Sequence, residues 1–151
     1  MNNHHEFFIK ILVDGINKKF PENNFYWRSD LKEHDNVPRV PISDPRQDGE
    51  WLIRTPDLIA EEINGVSDIH ILGEAKTYND FFTGHERTDA QLDYYINYLK
   101  NKSSGLLVYS LPYALKNSII NLIINKQAEW NAPNVEFVVL TDLEYTKSLL
   151  S

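Results

Sequence analysis

Three residues in the middle of the chain carry side chains suited to metal-assisted hydrolysis: Asp57, Glu74 and Lys76. Two carboxylates that converge on one point can hold a hard divalent cation such as Mg²⁺, which prefers oxygen ligands and keeps several waters. A nearby amine can orient or deprotonate a water, and the cation can polarise a phosphoryl oxygen, a combination that suits hydrolysis of a phosphodiester. The alternative is a solvated ion pair on a sheet face. The chemistry therefore depends on whether the fold brings the three residues together.

A predicted β-hairpin brings them onto one face. The runs 56–63 and 66–76 alternate apolar and polar residues, and Asn64-Gly65 between them is typical of a two-residue turn. That turn sets a register in which Asp57 faces Leu72, Thr55 faces Glu74 and Ala60 faces Ile69. Residues two apart on a strand share a face, so Asp57 and Glu74 become diagonal neighbours with Cα atoms roughly 7–8 Å apart. Lys76 points the same way.

Further helices and strands are predicted on both sides of this hairpin. Apolar residues recur with helical period in 6–20, 88–100 and 114–130. Short apolar runs predict strands at 50–54, 105–111 and 135–142, followed by a tail at 143–151. The last two strands are apolar throughout, which is typical of strands covered on both faces. The expected fold is an α/β domain with a central mixed sheet and the order α, three β, α, β, α, β.

Residues 21–50 are predicted to form a long Pro-rich insertion within this single domain of residues 1–151. The segment contains four of the seven prolines and has no sustained period. Connections of this length in compact domains are uncommon and often serve as lids, binding loops or partner-facing segments. The sequence leaves the role of this one open.

Composition limits the classes of function. The chain has 151 residues, a net charge of −7 and no cysteine, and its acid surplus lies in the middle third. This charge argues against coating of nucleic acid by bulk electrostatics, and the lack of cysteine excludes disulfides and thiolate zinc sites. No apolar run approaches the roughly 20 residues of a membrane helix, and no secretory signal is visible. We therefore expect a cytoplasmic protein without membrane association.

The strings Thr55-Pro56-Asp57 and Gly73-Glu74-Ala75-Lys76 resemble the signature of the PD-(D/E)XK nuclease superfamily. Members carry these two elements on adjacent strands of a restriction-endonuclease-like αβββαβ core, and the predicted order contains that core over about residues 5–142. Gln91 and Tyr95, one helical turn apart, resemble the QxxxY motif of the virus-type replication-repair and exonuclease-like branches. The alternatives for this pair are a capping box with Thr88 and plain core packing.

The resemblance implies a role for each residue of the central motif. Asp57 and Glu74 would ligate Mg²⁺ or Mn²⁺ together with the carbonyl oxygen of Ala75. Lys76 would position the attacking water and stabilise charge on the phosphate.

Other implied roles concern the two flanking helices. Gln91 and Tyr95 would brace the site or contact the substrate backbone. Many members also place an acidic metal ligand on the first helix, where Glu6 is the nearest match and Asp14 the alternative. Both acids are equally well explained as ordinary surface residues of that helix.

Several remaining residues have a functional and a simpler interpretation. His4 and His5 are candidates for a metal pair, although chain termini more often fray. His85 and Arg87 are candidates for phosphate contacts or ordinary surface charge. His70 shares the predicted face of Glu74, and a partly buried structural role is the better expectation.

These observations predict a divalent-metal-dependent nuclease that hydrolyses DNA phosphodiester bonds. Because phosphate contacts dominate affinity for DNA, the net charge of −7 suggests that a protein partner or a second copy supplies part of the grip. A subunit of a defence, recombination or mobile-element system would fit by analogy of fold. The alternatives are a catalytically silent interaction module with the same fold and an acidic inhibitor that imitates nucleic acid.

Overall fold

The computed structural model of the chain describes residues 3–37, 40–43, 51–54, 56–63, 68–83 and 85–150. The helices are α1 (Asn3–Lys19), α2 (Tyr78–Thr83), α3 (His85–Lys100), α4 (Lys116–Glu129) and α5 (Asp142–Leu150), with a 3₁₀ turn at Tyr113–Leu115. The strands are β1 (Phe25–Ser29), β2 (Val40–Ser43), β3 (Trp51–Arg54), β4 (Leu58–Glu62), β5 (Ile69–Ala75), β6 (Ser104–Leu111) and β7 (Glu136–Thr141).

Five of these strands form a mixed sheet in the order β1-β4-β5-β6-β7. Strands β1, β4 and β5 pair antiparallel, whereas β5, β6 and β7 pair parallel through helical crossovers. The predicted α/β fold with a central mixed sheet is therefore confirmed. In the part of the chain that the structure describes, no helix is both long and apolar enough to span a membrane.

The first strand of this sheet differs from the prediction. The run at 50–54 is expected to lead the sheet, but Trp51–Arg54 pairs with Val40–Ser43 in a separate two-stranded sheet. The strand that pairs with β4 at this edge of the sheet is Phe25–Ser29, which lies in the segment predicted as an insertion. Its aromatic residues favour a strand, but five residues are too few to display a period. The position of β1 is set by its pairing with β4, which local sequence does not encode.

Two helices form where the sequence predicts none. Asp142–Leu150 is helical rather than a tail, and Tyr78–Thr83 forms a short helix in the predicted polar loop. The helix predicted from Thr88 begins earlier, at His85.

The sheet is covered on both faces. The buried stripe of α1, which includes Phe8, Ile9 and Leu12, packs on one face against Leu58 and Ile71. The other face is covered by α3 and α4. There the core contains Ile59, Leu72, Leu92, Tyr95, Leu107, Tyr109, Ile119 and Ile123. Burial of each large apolar side chain contributes roughly 1.5–3 kcal/mol, and these two layers hold the ends of the strands in place.

Strands β4 and β5 pair two residues away from the predicted register. Ala60 lies opposite Ile71 rather than Ile69, and Leu72 lies opposite Ile59 rather than Asp57. The predicted register is therefore wrong by two residues, and the residues of the predicted turn, Asn64-Gly65, lie outside the described residues, as does Thr55. Because side chains alternate with a period of two, a shift of two residues leaves each side chain on its predicted face.

Candidate active site

Asp57 and Glu74 lie next to each other at the end of the sheet where β4 begins and β5 ends. Asp57 directly precedes β4, whose first residue, Leu58, is opposite Gly73, so the register brings Asp57 opposite Glu74. The Oδ2 atom of Asp57 accepts a hydrogen bond of 2.8 Å from the backbone N–H of Ala75. The two carboxylates are thus direct rather than diagonal neighbours. The predicted convergence occurs, but through a different pairing.

The carboxylate of Glu74 is buried, with a side-chain exposure of 3%, and is held by neighbours on two elements. The Tyr95 hydroxyl donates a hydrogen bond of 2.7 Å to Glu74 Oε1. The ammonium of Lys76 lies 3.7 Å from Glu74 Oε2. Both contacts fix the orientation of the carboxylate, because each of its oxygens faces a different donor.

Lys76 is held in turn by α3. Its Nζ donates a hydrogen bond of 2.8 Å to Gln91 Oε1, and both side chains are buried. The Gln91 and Tyr95 side chains project from the same face of α3 because residues four apart lie one above the other. Gln91 therefore binds Lys76 and does not cap the helix, and Thr88 lies inside the helix with its hydroxyl buried and unpartnered among the described residues.

His5 also belongs to this site, although the sequence favours a frayed terminus at that position. Its Nε2 lies 3.3 Å from Asp57 Oδ1, and the two side chains are 22% and 20% exposed. They form the most accessible part of the site. The signal that identifies His5 is its spacing: it precedes Ile9 by four residues and so extends the buried stripe of α1 by one turn.

Glu6 and Asp14 make other contacts. Glu6 forms an i,i+4 ion pair with Lys10, with 3.7 Å between the charged atoms. Asp14 accepts a hydrogen bond from the Tyr145 hydroxyl, two turns further along α1. His5, rather than either acid, is the residue of α1 that reaches Asp57.

Tyr109 is a further residue of the site that the sequence does not identify. It lies opposite Glu74 on β6 and is fully buried, and its hydroxyl has no hydrogen-bond partner among the described residues. A buried polar group without a partner is costly, so burial of this hydroxyl beside Glu74 is an unfavourable feature of the site. Within the sequence Tyr109 resembles any other member of an apolar strand.

Burial and the adjacent Asp57 charge raise the pKa of Glu74 well above its usual range, while Lys76 and Tyr95 act in the opposite direction. Burial alone would raise the pKa of Asp57, but hydrogen bonds with His5, Glu74 and the Ala75 N–H lower it. The two adjacent carboxyl groups therefore differ in proton affinity, and Glu74 is protonated more readily than Asp57. Burial, with the Glu74 charge adding to it, raises the pKa of Tyr95 and that of Tyr109, so both phenols stay protonated.

This donor set fits a hard divalent cation. Two adjacent carboxylates present oxygen ligands to the same space, and a cation bound between them would relieve the repulsion between their charges. The backbone of Ala75 is held beside them by its hydrogen bond to Asp57. In the described ranges, however, no set of three or more His, Asp and Glu side chains is arranged as a ready-made metal cage. Waters and backbone oxygen would complete the coordination.

The remaining candidates lie outside this group of contacts. His70 forms a contact of 2.9 Å with Asp68 near the opposite end of β5, as expected for a partly buried structural histidine. The side chains of His85 and Arg87 lie outside the described residues.

Comparison with known proteins gave no match: no protein-family model, curated protein or solved structure matches the chain.

Proposed function

We propose that the chain is a divalent-metal-dependent nuclease that hydrolyses DNA phosphodiester bonds. The observation that carries the proposal is the convergence of Asp57, Glu74 and Lys76 at one end of the sheet, with Lys76 held by a buried hydrogen bond. These residues come from the two strings that resemble the PD-(D/E)XK signature. The order α1, three antiparallel strands, α3 and β6 is compatible with the αβββαβ core of that superfamily.

Each residue of the site has a role that its contacts support. Asp57 and Glu74, with the carbonyl of Ala75, would hold Mg²⁺ or Mn²⁺, and a bound ion supplies charge stabilisation at the phosphoryl oxygen. The ammonium of Lys76 is kept close to the carboxylates, where it can stabilise negative charge on the phosphate and orient a water.

Two residues of α3 hold these groups in place. Gln91 positions Lys76 by accepting from its ammonium, and Tyr95 fixes the rotamer of Glu74. His5 is a positioning residue for Asp57, since it contacts the Oδ1 atom and leaves Oδ2 to the Ala75 N–H.

The test is cleavage of plasmid and single-stranded DNA with Mg²⁺, with Mn²⁺ and with EDTA. The variants Asp57→Asn, Glu74→Gln and Lys76→Met should each reduce the cleavage rate by about 100-fold or more, as expected when a group that stabilises developing charge is removed. The matched control is Asp68→Asn, an exposed carboxylate at the opposite end of β5, which should cleave at the wild-type rate. Circular dichroism verifies that each variant is folded. Folded wild-type protein that cleaves neither substrate with either metal would refute the proposal.

One observation favours the silent interaction module as a second candidate. Glu74 and Lys76 are only 3% and 8% exposed and already satisfy one another, as in a structural ion pair. That candidate predicts no cleavage and no stabilisation of the protein by Mn²⁺. The nuclease predicts both, because binding to the native state alone raises its stability.

The net charge of −7 continues to suggest a protein partner or a second copy in the active assembly, which we expect to act in the cytoplasm. Size-exclusion chromatography with light scattering, with and without DNA, measures the number of copies. If scattered surface acids rather than the site determine the activity of the protein, charge reversal at those acids will matter while Lys76→Met will not, and the acidic inhibitor becomes the better description.

A further inference from the structure

Exposed aromatic side chains are concentrated at the end of the sheet that carries the candidate site, where β5 and β6 end. Among the described side chains, four aromatic residues are exposed, and they are Phe7, Tyr26, Tyr78 and Tyr113. Three of the four lie at this end of the sheet: Phe7 on the first turns of α1, Tyr78 three residues after the end of β5, and Tyr113 two residues after the end of β6. Tyr26 lies on β1 toward the opposite end.

Tyr113 is the most exposed of these residues, with 51% of its surface accessible. It is also fixed in position, because its backbone N–H donates a hydrogen bond of 3.0 Å to Asp142 Oδ1. Strands β5 and β6 are neighbours, and the Lys76 N–H donates to the Ser110 carbonyl where they end. Tyr113 therefore follows directly from the strand beside Glu74 and Lys76.

A hollow of about 400 Å³ is lined by His4, Phe7, Phe8 and Asp142, and Tyr113 adjoins it through the hydrogen bond of its backbone N–H to Asp142. It shares the first turns of α1 with the site, since His5 contacts Asp57 from the same turn. Strands β5 and β7, whose ends the site and the hollow adjoin, are two strand spacings apart, or about 10 Å. The hollow is within reach of a nucleotide next to one whose phosphate is in the site.

The chemistry of the hollow suits a base and not a phosphate. Its walls include the aromatic rings of Phe7, which is 39% exposed, and Phe8, and every base offers a π-face for stacking. Asp142 supplies a carboxylate, which repels a phosphate but accepts hydrogen bonds from the amino and imino groups of a base edge. In duplex DNA the base faces and edges are engaged in stacking and pairing, so only an unpaired base can enter.

The recessed position of the site leads to the same conclusion. Glu74 and Lys76 are almost inaccessible, and the approach runs past His5 and Asp57. The exposed acids Asp30, directly after β1, and Asp80, in α2 after β5, lie at the same end of the sheet, so acids flank this approach. A single strand carries a lower charge density than a duplex and is less dependent on cationic contacts.

We propose that the substrate of this site is an unpaired nucleic acid strand, one base of which enters the hollow lined by Phe7 and stacks on Tyr113 next to it. This inference rests on the proposed nuclease function and narrows it to one substrate class. A single-stranded overhang, flap or loop would meet the requirement, whereas an intact duplex would not.

The test is binding of fluorescein-labelled oligothymidine, measured by anisotropy in EDTA so that no metal-dependent cleavage occurs. The wild-type protein should bind it at least fivefold more tightly than a duplex of equal length, and fivefold more tightly than an abasic strand of equal length, because stacking of even one base supplies that difference. Tyr113→Ala should lose this preference and Tyr113→Phe should retain it. The matched control is Tyr26→Ala, which removes an exposed tyrosine away from the site.

Cleavage assays separate failure of this inference from failure of the proposed function. If metal-dependent cleavage occurs but the duplex is bound and cut as well as the single strand, or Tyr113→Ala behaves as wild type, the substrate class is wrong and the nuclease stands. If Tyr113-dependent binding to oligothymidine occurs without cleavage under any metal, the substrate class stands and the nuclease is wrong.

Discussion

The ion pair of Lys76 with Glu74 offers the sharpest test of how the site is built. Lys76→Met removes the ammonium but keeps a side chain of similar length. Two groups then lose a buried partner: Gln91 Oε1 loses a hydrogen bond of 2.8 Å, and Glu74 loses the cation at 3.7 Å. Both losses occur where water has little access, so neither is easily replaced by solvation.

The expected cost depends on pH because the pKa of Glu74 is raised above its usual range by burial and by Asp57. On the acid side of its raised pKa Glu74 is protonated, and the variant loses mainly the Gln91 contact, which costs about 1–2 kcal/mol. On the alkaline side of that pKa Glu74 ionises, and the variant then contains an uncompensated buried carboxylate, which brings the cost to about 3 kcal/mol or more. The destabilisation should therefore grow as the pH rises.

The free energy of unfolding is measured by urea titration of the metal-free protein across this pH range. A cost of about 3 kcal/mol corresponds to a fall of at least about 6 °C in Tm for a chain of this size. The matched control is Lys116→Met, which removes a shorter ion pair of 2.9 Å to Glu144 whose side chains are 30% and 47% exposed. It should cost no more than about 1 kcal/mol, because solvent screens an exposed pair.

The double variant Lys76→Met/Glu74→Gln completes the thermodynamic cycle. With both charges removed, most of the stability lost in Lys76→Met should return. If Lys76→Met at high pH costs no more than Lys116→Met, or if the double variant is no more stable than the single, the ammonium is not held in a buried site and the reasoning fails.

Three further predictions concern other parts of the chain. The hydrogen bond between His5 and Asp57 raises the pKa of His5 above 6.5. This contact therefore stabilises the protein at and below pH 6.5 and is lost as the pH rises through the raised pKa. Toward the acid side the contact is lost again as Asp57 protonates below its ordinary pKa of 3.8. His5→Gln should therefore cost about 1 kcal/mol in urea titrations at pH 6 and little at pH 9. Lys126→Met should cost about 3 kcal/mol, since it leaves the buried carboxylate of Asp93 without the ammonium 2.9 Å away, and the response of Tm to Mn²⁺ should not change. Gly105→Ala should cost about 1–3 kcal/mol by thermal unfolding, because the added Cβ would lie 2.9 Å from atoms of the last turn of α3, and an unchanged Tm would show that this contact can relax.

The sequence by itself determined the fold class and the faces of the central strands. Side chains along a strand alternate strictly between the two faces of the sheet. Asp57, Glu74 and Lys76 therefore share one face in the predicted register and in any register shifted from it by two residues. The helical spacing of Gln91 and Tyr95 is equally local, and it explains why both reach the same site. These properties depend on residues close together in the chain, which is why they can be predicted.

Only the tertiary structure decided the exact partners. The register of β4 against β5, and the pairing of Phe25–Ser29 in place of 50–54, depend on packing between segments far apart in sequence. The same is true of His5 and Tyr109, which are ordinary members of a helix and a strand until α1 and β6 bring them to the carboxylates. A side chain becomes part of a site through what surrounds it in space, and no local pattern contains that information.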